Sequence, residues 1–304
     1  MGLGRRFLTT GGITLVQFDL QFLVQAGGAG GGQTGGAGRY SGGGGAGGFR
    51  SSVDNSGGGT AAESAITASS NDVLTITVGS GGTVNSNGND SSITSANSNF
   101  TAVTCTGGGK GGGGGSGSPG NGGCGGGYHT ASVGLGTAGQ GRNGGPGDNT
   151  GNASYQMGGG GGGTAFAGNS LGPGSGGNGT ISSIISTSNA NAQSVGEVSG
   201  GNVYYGGGGG GYDQVSNSSV FIGLGGGASL HGSGIARDSL INSGGAGAAS
   251  DQLTSRTKTY GSSGVVILKM PTSVYTGTTT GSPVVLTDGT DTVLIFKSSG
   301  TYTT

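Results

Sequence analysis

The sequence predicts a mostly irregular, all-β protein: a packed array of polyglycine-II helices flanked by short antiparallel β-strands, with essentially no α-helix. Three observations predict it. Glycine accounts for 84 of 304 residues and is gathered into runs that recur along the chain, among them 42–45, 111–115, 158–163 and 206–211. These runs alternate with short segments carrying Tyr, Phe, Ile, Leu and Val, whereas a flexible Gly/Ser linker is bounded by folded domains. No window holds helical periodicity without a glycine.

Ordering a glycine chain costs about 1–2 kcal/mol per residue in backbone entropy. Apolar burial cannot offset that here, because the hydrophobic class makes up only 30% of residues and aromatics 6%. What remains is main-chain hydrogen bonding and close backbone packing. A polyproline-II helix has three residues per turn and no internal hydrogen bonds, so its N–H and C=O groups point outward and need partners. Helices made of glycine can approach until those groups pair with one another. Collagen is excluded, since there is no strict Gly-X-Y register and only 5 prolines are present.

The strand-like segments lie near the two ends. Phe18, Leu20, Phe22 and Val24 recur with period two, which marks a strand with a buried face over Leu20 to Ala26. Val73 to Gly79 is rich in β-branched residues and precedes a Gly-Gly turn. The run from Gly264 to Met270 is continuously apolar and is stopped by Pro271. Pro283 to Leu286 and Thr292 to Lys297 follow, joined by a turn at Asp288-Gly289. Between these ends, a run of six residues in polyproline-II geometry spans about 19 Å. Successive runs then cross one layer repeatedly, and their connecting loops emerge at its ends. The chain divides accordingly into an N-terminal attachment segment (1–19), a glycine-rich polyglycine-II/β domain (20–271) and a C-terminal small β element (272–304).

Charge is scarce and balanced, 11 basic against 12 acidic residues for a net charge of -1. That leaves no electrostatic footprint for nucleic acid or an anionic membrane, and no segment is long enough to insert as a transmembrane helix. The basic start and the apolar stretch from Ile13 to Ala26 suggest a signal peptide. Gln17, Asp19, Gln21 and Gln25 interrupt it, and its period is that of a strand. Cys105 and Cys124 are either two separate buried thiols or a disulfide closing the Gly/Ser-rich loop between them, worth about 3 kcal/mol.

The order of motifs resembles the glycine-rich domains at the tips of bacteriophage tail fibres and adhesins. LQFLVQAGGAGGG at Leu20 to Gly32 is similar to the family's opening strand and first glycine run. GGGGAGGFRSS, LTITVGSGG, GNDSSI, the GGGGGG runs and the closing GSSGVVILKMP follow, covering about Gln21 to Pro271. TVLIFKSSGTYT at Thr292 to Thr303 resembles a small β element that often accompanies such domains. The resemblance implies a virion protein of the tail fibre, in which variable loops at the exposed end of the glycine array bind a host cell-surface receptor, an outer-membrane protein or a glycan. Other tail-fibre or virion proteins are the implied partners, and a homotrimer is one assembly it admits. About twenty residues precede the opening strand, so the long attachment domain of the T-even type adhesins has no counterpart.

No enzymatic signal survives inspection. Matches to GxGxxG follow from composition and lack a βαβ context. Lys110 is followed by Gly111, so no P-loop is present. GGPGDN at 144–149 has its Asp148 one residue early for a calcium nonapeptide and reads as a turn. We therefore expect a non-enzymatic protein without cofactor or metal. Tyr128, His129, Tyr155, Tyr204, Tyr205, Tyr212, Phe221 and His231 lie at or near junctions of glycine runs and loops. A Tyr there suits stacking on a sugar ring or gripping a protein loop; it also suits capping the glycine layer against water. Two other function classes fit the composition, an ice-binding protein and a structural fibre or matrix protein. The first needs Thr or Ala at fixed tripeptide positions and the second needs tandem repeats.

Overall fold

The computed structural model describes residues 6–10, 13–33, 41–96, 100–113, 117–129, 131–147, 158–169, 174–212, 222–229, 237–250 and 259–304. In chain order the strands begin with β1 (Arg6–Thr10), β2 (Ile13–Gln25), β3 (Phe49–Ser51), β4 (Ile66–Ser69), β5 (Val73–Thr77), β6 (Ser91–Ser95), β7 (Val103–Cys105) and β8 (Thr180–Ile181). One short helix, α1 (Thr187–Gln193), separates them from β9 (Glu197–Ser199) and β10 (Asn202–Tyr205). The chain ends with β11 (Val265–Pro271), β12 (Thr278–Thr279), β13 (Val284–Asp288), β14 (Asp291–Phe296) and β15 (Gly300–Thr303).

The strands form three antiparallel sheets. The largest has the order β1-β2-β11-β14-β13, with β3 and β4 also paired to β2. A five-stranded sheet, β12-β15-β5-β6-β7, packs on one face of it, and the three-stranded sheet β8-β10-β9 with α1 covers the other. Alternation along the strands divides the side chains between two cores. Phe22, Val24, Val266, Leu268, Leu294 and Phe296 face Leu74, Ile76, Ile93 and Tyr302. Leu23, Val265, Ile267, Val293 and Ile295 face Ile184, Ile185, Val203 and Tyr205. This double burial is why GVVILK reads as continuously apolar instead of alternating. Period two in β2 marks only the first of its two buried faces.

Several strands run directly into glycine segments. β2 leads into residues 26–32, β7 into 106–112 and β10 into 206–212, while 42–48 lead into β3 and 259–264 into β11. Within the segments, hydrogen bonding has a period of three. Gly42, Gly45 and Gly48 donate their N–H groups to the carbonyls of Gly112, Gly109 and Thr106 at 2.9, 2.8 and 2.8 Å. Gly43 and Ala46 donate to Gly159 and Gly162, both at 3.0 Å, and Gly44 and Gly47 donate to Gly247 and Gly244 at 2.9 and 3.0 Å. The carbonyls of the same segment accept from three further neighbours: Gly32, Ala29 and Ala26; Gly127 and Cys124; and Gly209 with Tyr212. Segment 41–48 thus sits among six others, donating to three and accepting from three. Three residues per turn without internal hydrogen bonds is polyproline-II geometry, here built from glycine.

Two side chains repair the places where this lattice meets the sheets. Gln25, fully buried, donates its Nε2 to the carbonyls of Gly47 at 2.9 Å and Ala26 at 3.2 Å. Glu197 Oε2 accepts from the N–H groups of Gly225 and Gly226 at 2.7 and 2.9 Å, and its Oε1 pairs with Arg237 at 2.8 Å. Gly225 and Gly226 lie at φ 103° and 91°, so the carboxylate fixes a turn that only glycine makes without strain.

Particular expectations fare differently. The predicted strands at 73–79, 264–270, 283–286 and 292–297 are present with shifted ends. β2 starts earlier and runs through the expected boundary between residues 19 and 20. Beyond the expected boundary at 271, β14 pairs with β11 and β15 with β5, so the C-terminal element shares both large sheets with the glycine-rich stretch. Helix α1 escaped notice because seven residues cannot hold a periodic apolar face. Its ends are set locally, by Ser186 Oγ accepting from Asn189 N and by Ser194 at φ 52°. Both cysteines are free and buried. Burial pushes the Cys124 thiol up to about 12 and raises that of Cys105 as well. Alkylating reagents are therefore expected to spare both thiols in the native protein and to modify both after denaturation, as read by intact mass; modification of the native protein would contradict this packing.

A Cβ at Gly208 would overlap the carbonyl oxygen of Gly161, and one at Gly160 that of Ser175. Gly208→Val is expected to lower stability by more than about 2 kcal/mol, since at least one buried main-chain pair is left unsatisfied. Gly289→Ala is the control. That residue faces open space at φ 63°, and the substitution costs about 1 kcal/mol. Urea denaturation separates the two, and equal midpoints would refute backbone-contact packing of the glycine helices.

Candidate functional site

Glycine segments that run up and down one layer must turn at two ends, and the two ends differ. At one, the segments meet the sheets. At the other, Gly32 N–H donates to Gly42, Ser250 N–H to Gly32, Tyr212 N–H to Ser41 and Gly158 N–H to Tyr212, at 2.9, 2.9, 3.1 and 2.9 Å. Gly159 donates to Tyr128 at 2.8 Å and Gly211 to Gly174 at 2.7 Å. Ser41 Oγ donates to the carbonyl of Ser250 at 2.8 Å. Residues 33, 41, 158, 174, 212 and 250 therefore share this end. They are the residues at which the chain enters or leaves the stretches 34–40, 148–157, 170–173, 213–221 and 251–258.

Three predicted residues are brought together here. Tyr128 and Tyr212 lie on either side of 158–159, held through the hydrogen bonds of their main chains. The Tyr128 ring fills the space where a Cβ on Gly112 would lie, so glycine at 112 seats the ring over the lattice end. His129 stacks edge-on against it, with ring centroids 4.2 Å apart and planes at 65°. Burial lowers the His129 pKa below its ordinary value, and its Nδ1 has no hydrogen-bond partner among the described groups. The imidazole is consequently neutral at neutral pH. Tyr128, His129 and Tyr212 are all half-buried, so capping of the layer and a surface for contact coexist in the same side chains. Tyr155, Phe221 and His231 lie outside the described residues.

Tyr204 and Tyr205 are placed differently from the expectation. They belong to β10, at the sheet end of the layer. Tyr205 is fully buried and stacks on Phe49 with centroids 5.9 Å apart, so its side chain is not offered to a receptor. Alternation along β10 turns Tyr204 outward at that same end. The pair followed the signal of aromatics bordering a glycine run, but a strand running into the run borders it equally. Sequence reasoning missed Gln33, Ser41 and Ser250, the small polar residues that tie the loop end together; all three flank glycine-rich segments.

Among the described residues, no group of three or more His, Cys, Asp or Glu side chains is placed to hold a metal ion. No helix among them is long and apolar enough to cross a membrane. The described fold is a lattice of glycine helices grown out of β-sheets packed on two faces, with several of its connections leaving from the far end. The chain belongs to the glycine-rich domain family, whose model matches residues 16–271. Comparison with curated proteins gave no match, and none was found among solved structures.

Truncating Tyr205 should act on the fold. Tyr205→Ala removes a fully buried ring from the second core and is expected to lower stability by about 3 kcal/mol. Chemical denaturation checks it, and a loss below about 1 kcal/mol would show that the ring is not the packing element described.

Proposed function

We propose that this protein is a non-enzymatic adhesin of a bacteriophage tail-fibre tip, binding a host cell-surface receptor with the loops at the end of the glycine lattice away from the sheets. One observation supports this most directly: the stretches 34–40, 148–157 and 251–258 leave and rejoin the layer at one end, and 213–221 departs from that end after Tyr212. Those stretches hold much of the chain's side-chain diversity, including Tyr155, Phe221, Arg256 and Lys258. Binding residues tend to sit on loops held by a rigid scaffold. The order of motifs that resembles tail-fibre tip domains supports the same reading.

In this reading the receptor is an outer-membrane protein or a glycan, and contact is spread over several loops, with Tyr128, His129 and Tyr212 as the candidates at that end and Tyr155, Phe221 and His231 as candidates from the sequence. A few aromatics supply most of the energy. The sheet end remains for other tail-fibre or virion proteins.

The test is adsorption of labelled purified protein to a panel of bacterial strains. Wild type is expected to bind a subset of strains. Exchange of 148–157 or of 213–221 for Gly/Ser segments of equal length should abolish binding at unchanged melting temperature. If wild type binds no cell surface, or every loop can be exchanged without effect, a structural role in the fibre replaces the adhesin reading.

A further inference from the structure

At the sheet end, away from the receptor loops, a cleft of about 850 Å³ opens between the turn at 164–166, strands β8 and β10, and residues 53–62. Its walls carry apolar surface that neither core uses. Phe166 is 64% exposed and Ile181 42%, large values for side chains of this type in a chain with so few aromatics. Tyr204 faces the cleft because Tyr205, its neighbour on β10, points into the core. Phe166 is held firmly: its N–H donates to Asn178 O at 3.1 Å, and its carbonyl accepts from Gly163 N at 2.9 Å.

Polar groups stand among these rings in fixed orientations. Asn178 Oδ1 accepts from Leu224 N at 2.9 Å, which leaves the amide's N–H groups as its donor end. Arg142 Nε donates to Ala165 O at 3.3 Å, and the remaining guanidinium N–H groups extend beside Gly59, where a Cβ would press on Nη2. Thr180, in the same wall, is 8% exposed, and its buried hydroxyl has no hydrogen-bond partner among the described groups.

We propose that this cleft is a saccharide-binding site, separate from the receptor loops. A pyranose offers apolar C–H faces and a rim of hydroxyls; the wall offers aromatic faces and a rim of amide and guanidinium donors. Phe166 and Tyr204 stack on sugar rings, and Arg142 and Asn178 donate to ring hydroxyls or a sugar carboxylate. The volume lies in the range of sites that enclose small ligands. A long apolar peptide would leave these donors unmatched.

Saturation-transfer NMR and calorimetry of the full chain with soluble oligosaccharides, neutral and uronic-acid-containing, test the site. At least one saccharide is expected to bind, with affinity reduced tenfold or more in Phe166→Ala and in Tyr204→Ala. Phe166 lies outside both cores, so its truncation leaves the fold intact, and an unchanged melting temperature verifies this. Exchange of loop 213–221 should leave saccharide binding unaltered, which separates this site from the adhesin reading. Absence of binding to every saccharide, or binding that both aromatic truncations leave unchanged, overturns the proposal; neither result bears on adsorption through the loops.

Discussion

Main-chain hydrogen bonds between glycine segments at backbone contact distance are the constraint on which the rest of this structure depends. Each segment lacks internal hydrogen bonds, so none is stable alone. A typical hydrogen bond contributes about 1 kcal/mol net, close to the lower bound of what fixing one residue's backbone costs. The array is therefore ordered only where nearly every N–H finds its carbonyl. Segment 41–48 satisfies this with six neighbours. The few alanines within the segments, such as Ala29, Ala46 and Ala246, are fully buried, so lattice positions differ in the room they leave for a methyl group.

The β-layers solve a second problem. Glycine segments carry no side-chain pattern that would fix their register, and they could slide along one another. Continuity with strands removes that freedom: β2 pairs with β11 from Val265↔Gln25 onward, and this sets the level at which 26–32 and 259–264 begin. Gln25 and Glu197 then bridge the two kinds of hydrogen bonding where the ladder of a sheet gives way to the three-way pattern of the lattice. Apolar burial in two cores thus supplies a reference level, and the glycine array inherits it.

How much of this could be read from the residues varied with the physics involved. Runs of matched length and the absence of helical periodicity made the glycine array legible. The apolar stretches at 264–270 and 292–297 made the central strands legible, because burial leaves a compositional trace. β6 and β7, read as SSITS and VTC, carry too few apolar residues to stand out, and β8 to β10, which pair only with one another, are too short to show an alternating pattern. Which end of the layer each aromatic occupies was not legible. That depends on how many crossings separate it from the sheets, and it is why Tyr204 and Tyr205 grouped with Tyr128 and Tyr212 on sequence grounds alone.

The three-way pattern of donation also limits how such a chain can change length. Consecutive residues of one segment, such as Gly42, Gly43 and Gly44, address three different neighbours. Losing a single residue within a segment would turn everything beyond it by a third of a revolution and hand each donor to the wrong partner. Losing three would shorten the segment by one full turn and return every group to its own neighbour. In genetic terms, the glycine segments tolerate insertion and deletion in units of nine nucleotides, whereas the connections between them, free of this arithmetic, can vary codon by codon.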